Sequence, residues 1–203
     1  MEQTLLLALK ENSLHFFFPL FQQGVIIKTP LGRNVKDLLS LHLEIPPEYV
    51  RDRIQTIFLD GKAVDDLEKT AVRDGSTLAL SAAMPGLVGA TLRKGGFFSS
   101  LRQAITFSGS TETIPQQEGR IILKLFNMLV PELGPHFLAK GIWLEGKDLN
   151  RFLEGLEKNF WEGCREISKN NQQIYLPFDR KELYFENDRL VFFKVKVIPL
   201  SDK

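Results

Sequence analysis

Residues Ile45–Leu80 read IPPEYVRDRIQTIFLDGKAVDDLEKTAVRDGSTLAL. Within them, Ile54–Leu59 is rich in β-branched and aromatic side chains and is closed by Asp60-Gly61. That predicts a strand entering a tight turn, because glycine takes positive φ without a Cβ clash. Lys62–Asp74 carries seven charges around the anchors Val64, Leu67 and Val72, the pattern of a surface loop pinned at three points. Gly75 turns the chain again, and Ser76–Leu80 resumes as a strand with Leu78 and Leu80 on one face by the two-residue period. Upstream, Asn34 is placed to cap a helix carrying Val35, Leu38, Leu39 and His42 on one side. Pro46 and Pro47 stop that helix, since proline lacks the N–H and clashes with the preceding turn.

This order of a helix, Ile45-Pro46-Pro47-Glu48, Ile57-Phe58, Gly61-Lys62, Asp65-Asp66 and Ser76-Thr77-Leu78-x-Leu80 resembles the second half of the ubiquitin-like β-grasp superfamily, over about residues 14–96. Asp60–Leu80 is also similar to the last third of the bacterial sulfur carriers. The resemblance implies a helix laid across a curled mixed sheet. It implies little about activity, because modifiers, sulfur carriers and plain binding modules share the fold. Ubiquitin's binding patch maps onto Ile57, Ala79 and Ser81, of which only the isoleucine keeps its character, so the usual receptors are not implied. The family's free diglycine tail has a counterpart in Leu92-Arg93-Lys94-Gly95-Gly96, but here that stretch runs on into Phe97-Phe98.

The chain has 203 residues, 43% hydrophobic and 25% charged, with a net charge of +1, which describes a globular protein of one large or two small domains. So weak a field favours neither nucleic acid nor an anionic membrane as partner. The single cysteine makes no internal disulfide and suits a reducing compartment. Leu5–Leu9 is too short for a signal peptide, and Gly75–Leu92 is too short and too broken by Pro85, Gly86 and Gly89 for a membrane span. The expected location is cytoplasmic.

Thr4–Leu9 and Leu14–Phe18 predict an opening hairpin, with Val25–Lys28 as a third strand pairing with Leu14–Phe18. Residues 82–98 form a small, apolar, glycine-punctuated extension whose glycines let backbones approach or take positive φ. A helix is expected at Ser99–Ile105. Ser108–Gln117 (SGSTETIPQQ) is the linker, dividing a domain at 1–107 from one at 118–203. Beyond it, Ile121, Ile122, Leu125, Met128 and Leu129 predict a helix over Glu118–Val130. A short helix around Phe137-Leu138 should end at Gly141, and a long helix should cover about Lys147–Lys169, with Leu149, Phe152, Leu153, Leu156, Phe160, Cys164 and Ile167 in its stripe. Ile174–Leu176 reads as a strand, and Glu182–Glu186 with Leu190–Ile198 as a hairpin. The C-terminal half is thus an α+β module that resembles no known family.

Few residues carry a chemical signature. Cys164, in an apolar stripe, reads as an inert core thiol. His15, His42 and His136 share no ligand spacing, and Asp65, Asp66, Glu68 and Asp74 lack a calcium-loop pattern, so no metal and no cofactor are expected. Phe16-Phe17-Phe18 and Phe97-Phe98 cannot all face one core, which leaves some for an interface between domains or between subunits.

The reading is therefore an α+β protein: an N-terminal ubiquitin-like β-grasp domain plus a C-terminal α+β module. It is taken as a non-enzymatic interaction or scaffold protein with a protein partner. Its contact residues are expected at Ile57, Pro85, Gly86, Gly89, Arg93, Lys94, Gly95 and Gly96. One alternative is a sulfur carrier or modifier released by cleavage after Gly96, and another is an enzyme with its site at the domain junction.

Overall fold

A computed structural model describes residues 2–107, 117–175 and 177–198 as a mixed α+β protein. Its strands are β1 (Gln3–Leu9), β2 (Val25–Pro30), β3 (Thr56–Leu59), β4 (Lys62–Ala63), β5 (Thr77–Ser81), β6 (Glu118–Phe126), β7 (Ile142–Glu145), β8 (Cys164–Lys169), β9 (Gln172–Ile174) and β10 (Leu190–Val197). Its α-helices are α1 (Phe18–Gln23), α2 (Val35–Asp37), α3 (Pro47–Asp52), α4 (Gly86–Leu92), α5 (Leu129–Lys140), α6 (Gly146–Glu154) and α7 (Lys158–Gly163). Compactness divides the chain into Phe21–Val130 and a second unit made of Met1–Leu20 with Pro131–Lys203. This differs from the expected division into 1–107 and 118–203. The expected linker lies, apart from Gln117, outside the described residues.

Within Phe21–Val130 the strand order is β4-β3-β5-β6-β2. The strands beginning near Ile54 and Thr77 pair antiparallel, with Ile57 opposite Leu80. Asp60 and Gly61 both take positive φ, as a two-residue hairpin into β4 requires. Asp60 also binds forward: its carboxylate accepts from the Thr77 N–H at 2.7 Å and the Ser76 hydroxyl at 3.0 Å. Asn34 caps α2 through the Asp37 N–H at 2.7 Å, and the helix widens into a π-turn over Leu38–His42. It stops at Glu44, whose φ is positive, and Pro47 then opens α3 from its first turn.

Glu118–Phe126 is a strand, not the expected helix. β6 runs parallel to β5 and antiparallel to β2, and it buries Ile121, Leu123 and Leu125. Ile122 lies half-buried on the opposite face, so Ile121, Ile122 and Leu125 imitate helical spacing. Leu14–Phe18 is no strand either: Glu11–Phe17 is a 3-10 helix leading into α1, with Pro19 in the first turn. The place expected for it beside Val25–Pro30 is held by β6.

In the other unit the order is β7-β10-β1-β8-β9, with β1 and β10 a central parallel pair that sets Leu5 against Phe193 and Leu7 against Val195. The buried Phe17 ring packs on Phe152, Phe160 and Phe193 with centroids 5.6–5.7 Å away. The long helix expected over Lys147–Lys169 is broken: α6 is capped by Gly155, α7 ends at Gly163, and Cys164–Lys169 is β8. The expected hairpin is also replaced, since Arg180–Leu183 is a 3-10 turn and β10 pairs with β7 and β1.

Truncating Leu123, which is fully buried in β6, should cost about 2–5 kcal/mol in urea unfolding, whereas Lys124→Ala should stay within about 0.5 kcal/mol. Comparable losses for both would mean that 118–126 does not present alternating faces.

Candidate functional site

The expected contact residues divide sharply. Ile57 is 1% exposed in β3, so its side chain belongs to the core and cannot meet a partner. The remaining seven lie together on an arm that leaves β5 after Ser81. Pro85 precedes α4 as its capping residue, and Gly86 is the first helical residue. Gly89 is buried against the Met84 backbone: a Cβ there would lie 1.9 Å from the Met84 carbonyl oxygen. Arg93, Lys94, Gly95 and Gly96 form the turn between α4 and a 3-10 helix over Phe97–Ile105.

Charged side chains anchor that turn. The Lys94 ammonium donates to the carbonyls of Val50 at 2.6 Å, Arg51 at 3.1 Å and Ile54. It thereby satisfies carbonyl groups that the end of α3 leaves unpaired. Burial pushes the Lys94 pKa down, while Asp52 pulls it the other way. The Lys94 N–H donates to the Gln55 carbonyl at 2.8 Å, which fixes the backbone as well.

Arg102 is the second anchor. Its side chain is 3% exposed and pairs with Asp65 at 2.6 Å. Its remaining N–H groups reach the Thr91 carbonyl at 2.7 Å, the Thr106 hydroxyl at 2.9 Å and the Arg93 carbonyl at 3.4 Å. A buried guanidinium is tolerable only when it is paired and hydrogen-bonded in this way. Asp65 also accepts from the Gly95 N–H at 2.9 Å, so one carboxylate ties the diglycine turn to the 3-10 helix. Gly95 has a positive φ of 60°, and the Gly96 N–H closes onto the Arg93 carbonyl at 3.1 Å. Beyond Thr106, the Phe107 N–H donates to the Ala63 carbonyl at 2.8 Å, returning the arm to β4.

With its polar groups used inward, the arm turns apolar side chains outward. Helix α4 and the 3-10 helix pack on each other. Leu87 and Val88 on the first are 68% and 69% exposed, and Phe97 and Leu101 on the second are 92% and 69% exposed. The sequence reading found the arm and its turn but placed the contact on glycines. It missed Leu87, Val88 and Leu101, whose exposure no periodicity discloses.

The other candidates are accounted for structurally. Cys164 is buried at the start of β8, not in a helix, and burial pushes its thiol up to about 12. Asp66 accepts from the N–H groups of Glu68 and Lys69 and pairs with the Lys69 ammonium, which holds its carboxyl below the usual range. Among the described residues, no three His, Cys, Asp or Glu side chains are grouped to hold a metal ion, and no helix is long and apolar enough to cross a membrane.

Asp65→Ala should cost about 2 kcal/mol, because it strands the Arg102 guanidinium, with the partial exposure of Asp65 softening the full buried-pair penalty. Hydrogen exchange at the Gly95 amide should rise in the same variant, and unchanged exchange would refute the tie. Cys164 should resist a disulfide reagent at pH 8 until denaturant is added, since almost no thiolate forms at that pH in the native state. Compared with family models, curated proteins and solved structures, the chain matches none.

Proposed function

We propose that the chain is a non-enzymatic interaction protein that docks a protein partner on the arm spanning residues 85–105. The observation carrying this is the inversion of the arm's faces. Arg102 is buried while Phe97, Leu87, Val88 and Leu101 stand in solvent, a costly arrangement unless those side chains meet another surface. Aromatic and aliphatic anchors on a rigid support are what a binding surface requires, since little ordering entropy is then lost on association. The glycines act one step back from the contact, as the turn that holds the anchors in place. Partners that are nucleic acids find little support in a net charge of +1. A cytoplasmic setting accords with a single, buried cysteine.

The fold beneath the arm belongs to the same proposal. Phe21–Val130 is read as a ubiquitin-like β-grasp unit in permuted order, with β6 supplying the strand that an N-terminal hairpin would supply. Support comes from the antiparallel pairs β2–β6 and β3–β5, the parallel pair β5–β6, and the helix capped by Asn34. The modifier alternative gains nothing from this geometry. Cleavage after Gly96 would detach β6 from the unit, and the Gly95 N–H is already held by Asp65.

Affinity capture from the cells that make the protein tests the docking reading. A Phe97→Ser/Leu101→Ser variant should retain its thermal midpoint, as exposed positions do, and lose more than about tenfold of the captured partner. Undiminished capture by a folded variant would sink the proposal.

A further inference from the structure

In the unit containing α6 and α7, a cavity of about 410 Å³ opens between α6, α7 and the Arg180–Leu183 turn. Its volume lies within the range of small-molecule sites, about 300–1,000 Å³. Leu153, Leu183 and the Trp161 ring make an apolar wall, and Tyr184 adds an aromatic edge. A second cavity of about 370 Å³ shares Trp161 and Arg180 and runs toward Phe178, whose ring meets the Trp161 ring edge-on at 5.4 Å. Trp161 thus stands between two hollows, so its slot is longer than one side chain.

The polar groups are unevenly matched. Arg180 and Lys181 both line the first cavity, against one acid, Glu154. Arg180 spends one N–H on the Glu154 carbonyl at 3.3 Å, leaving its charge uncompensated by that bond. The Lys181 ammonium has no partner among the described residues, whereas Lys158 in the second hollow is paired with Glu162 at 3.4 Å. Trp161 is buried, and its indole N–H also has no partner among the described residues. That nitrogen is itself shielded from solvent, so the tryptophan offers the hollow its ring and not its N–H.

We infer that this slot binds an apolar body bearing one carboxylate: the body lies along Trp161, Leu153 and Leu183, and the carboxylate meets Arg180 and Lys181. Arginine suits the role because its planar fork matches a carboxylate. The inference concerns a different unit from the docking arm and stands or falls without it. The same chemistry has two sources, a free acid and the C-terminal residue of a peptide.

The chain has two tryptophans, so a Trp143→Phe background leaves Trp161 as the only one and makes its fluorescence a direct readout. 4-Phenylbutyrate and the tripeptide Ala-Ala-Phe are titrated, each beside its amide. A saturable change with phenylbutyrate assigns a free acid, and one with the tripeptide alone assigns a chain terminus. In either case the matching amide should bind roughly tenfold more weakly, the scale of one charge-assisted hydrogen bond. Arg180→Gln/Lys181→Gln, at two exposed positions, should weaken the acid by at least that factor and leave the amide unchanged. The inference is overturned if neither acid saturates at millimolar concentration, if acid and amide bind alike, or if the double variant binds the acid as the parent does. The comparison of acid with amide needs no variant and so survives any folding defect in one.

Discussion

A nine-residue strand with a neighbour on each side must have both its ladders filled, and β6 sets that condition for everything before it. Its Ile121, Leu123 and Leu125 are buried, and its backbone is shared between β2 on one side and β5 on the other. Adjacent parallel strands cannot be joined by a tight turn, because the chain has to return to the end from which it started. Residues between Ser81 and Glu118 are therefore obliged to cross over, and crossovers are usually helical. Helix α4 and the 3-10 helix over Phe97–Ile105 are the described part of that return. The arm exists because β5 and β6 are parallel, whatever else it has come to do.

Its peculiarity is the way it is fastened. A crossover helix ordinarily buries an apolar stripe on the sheet it covers. Here the attachment is largely polar: Lys94 on the carbonyls at the end of α3, and Arg102 with Asp65. Desolvating a guanidinium is expensive, and only the full set of acceptors around Arg102 makes the arrangement tenable. The consequence is geometric. Once the charges face inward, Leu87, Val88, Phe97 and Leu101 face outward, and the chain keeps an apolar surface without surrendering its core.

What the residues disclosed follows from how local each signal is. The Asn34 cap, the Asp60-Gly61 turn, the β3–β5 alternation and the diglycine turn each depend on a few neighbours in sequence, and each could be read directly. The identity of β6 could not, since Ile122, half-buried on the face opposite Ile121, Leu123 and Leu125, adds an apolar position that lets the run borrow the spacing of a helix. Helix breaks at Gly155 and Gly163 were signalled by the glycines themselves, yet a stripe from Leu149 to Ile167 outweighed them. Leu149–Leu153 belongs to α6, Phe160 to α7 and Cys164–Ile167 to a strand, so one stripe joined three elements. Phe16-Phe17-Phe18 failed for a related reason: aromatic content suggests a strand, whereas Pro19 in the first turn favours a helix start. The candidate surfaces were partly hidden because exposure is a tertiary property. Nothing in the spacing of Leu87 and Leu101 distinguishes them from core residues.

The two candidate surfaces call for different kinds of partner. On the arm, apolar side chains stand out from short helices without enclosing a volume, which suits a macromolecule able to cover them from outside. Around Trp161 the apolar side chains enclose one, and the charges at its rim would give the proposed ligand a direction as well as a place. A released modifier would need the first surface to survive without β6. The arm is spanned between β5 and β6, and its anchor Arg102 lies after Gly96, so cutting there takes Arg102 away from Asp65 together with the strand that made the crossover necessary. The contacts that fasten the arm are those that make Gly96 a poor place to end the chain.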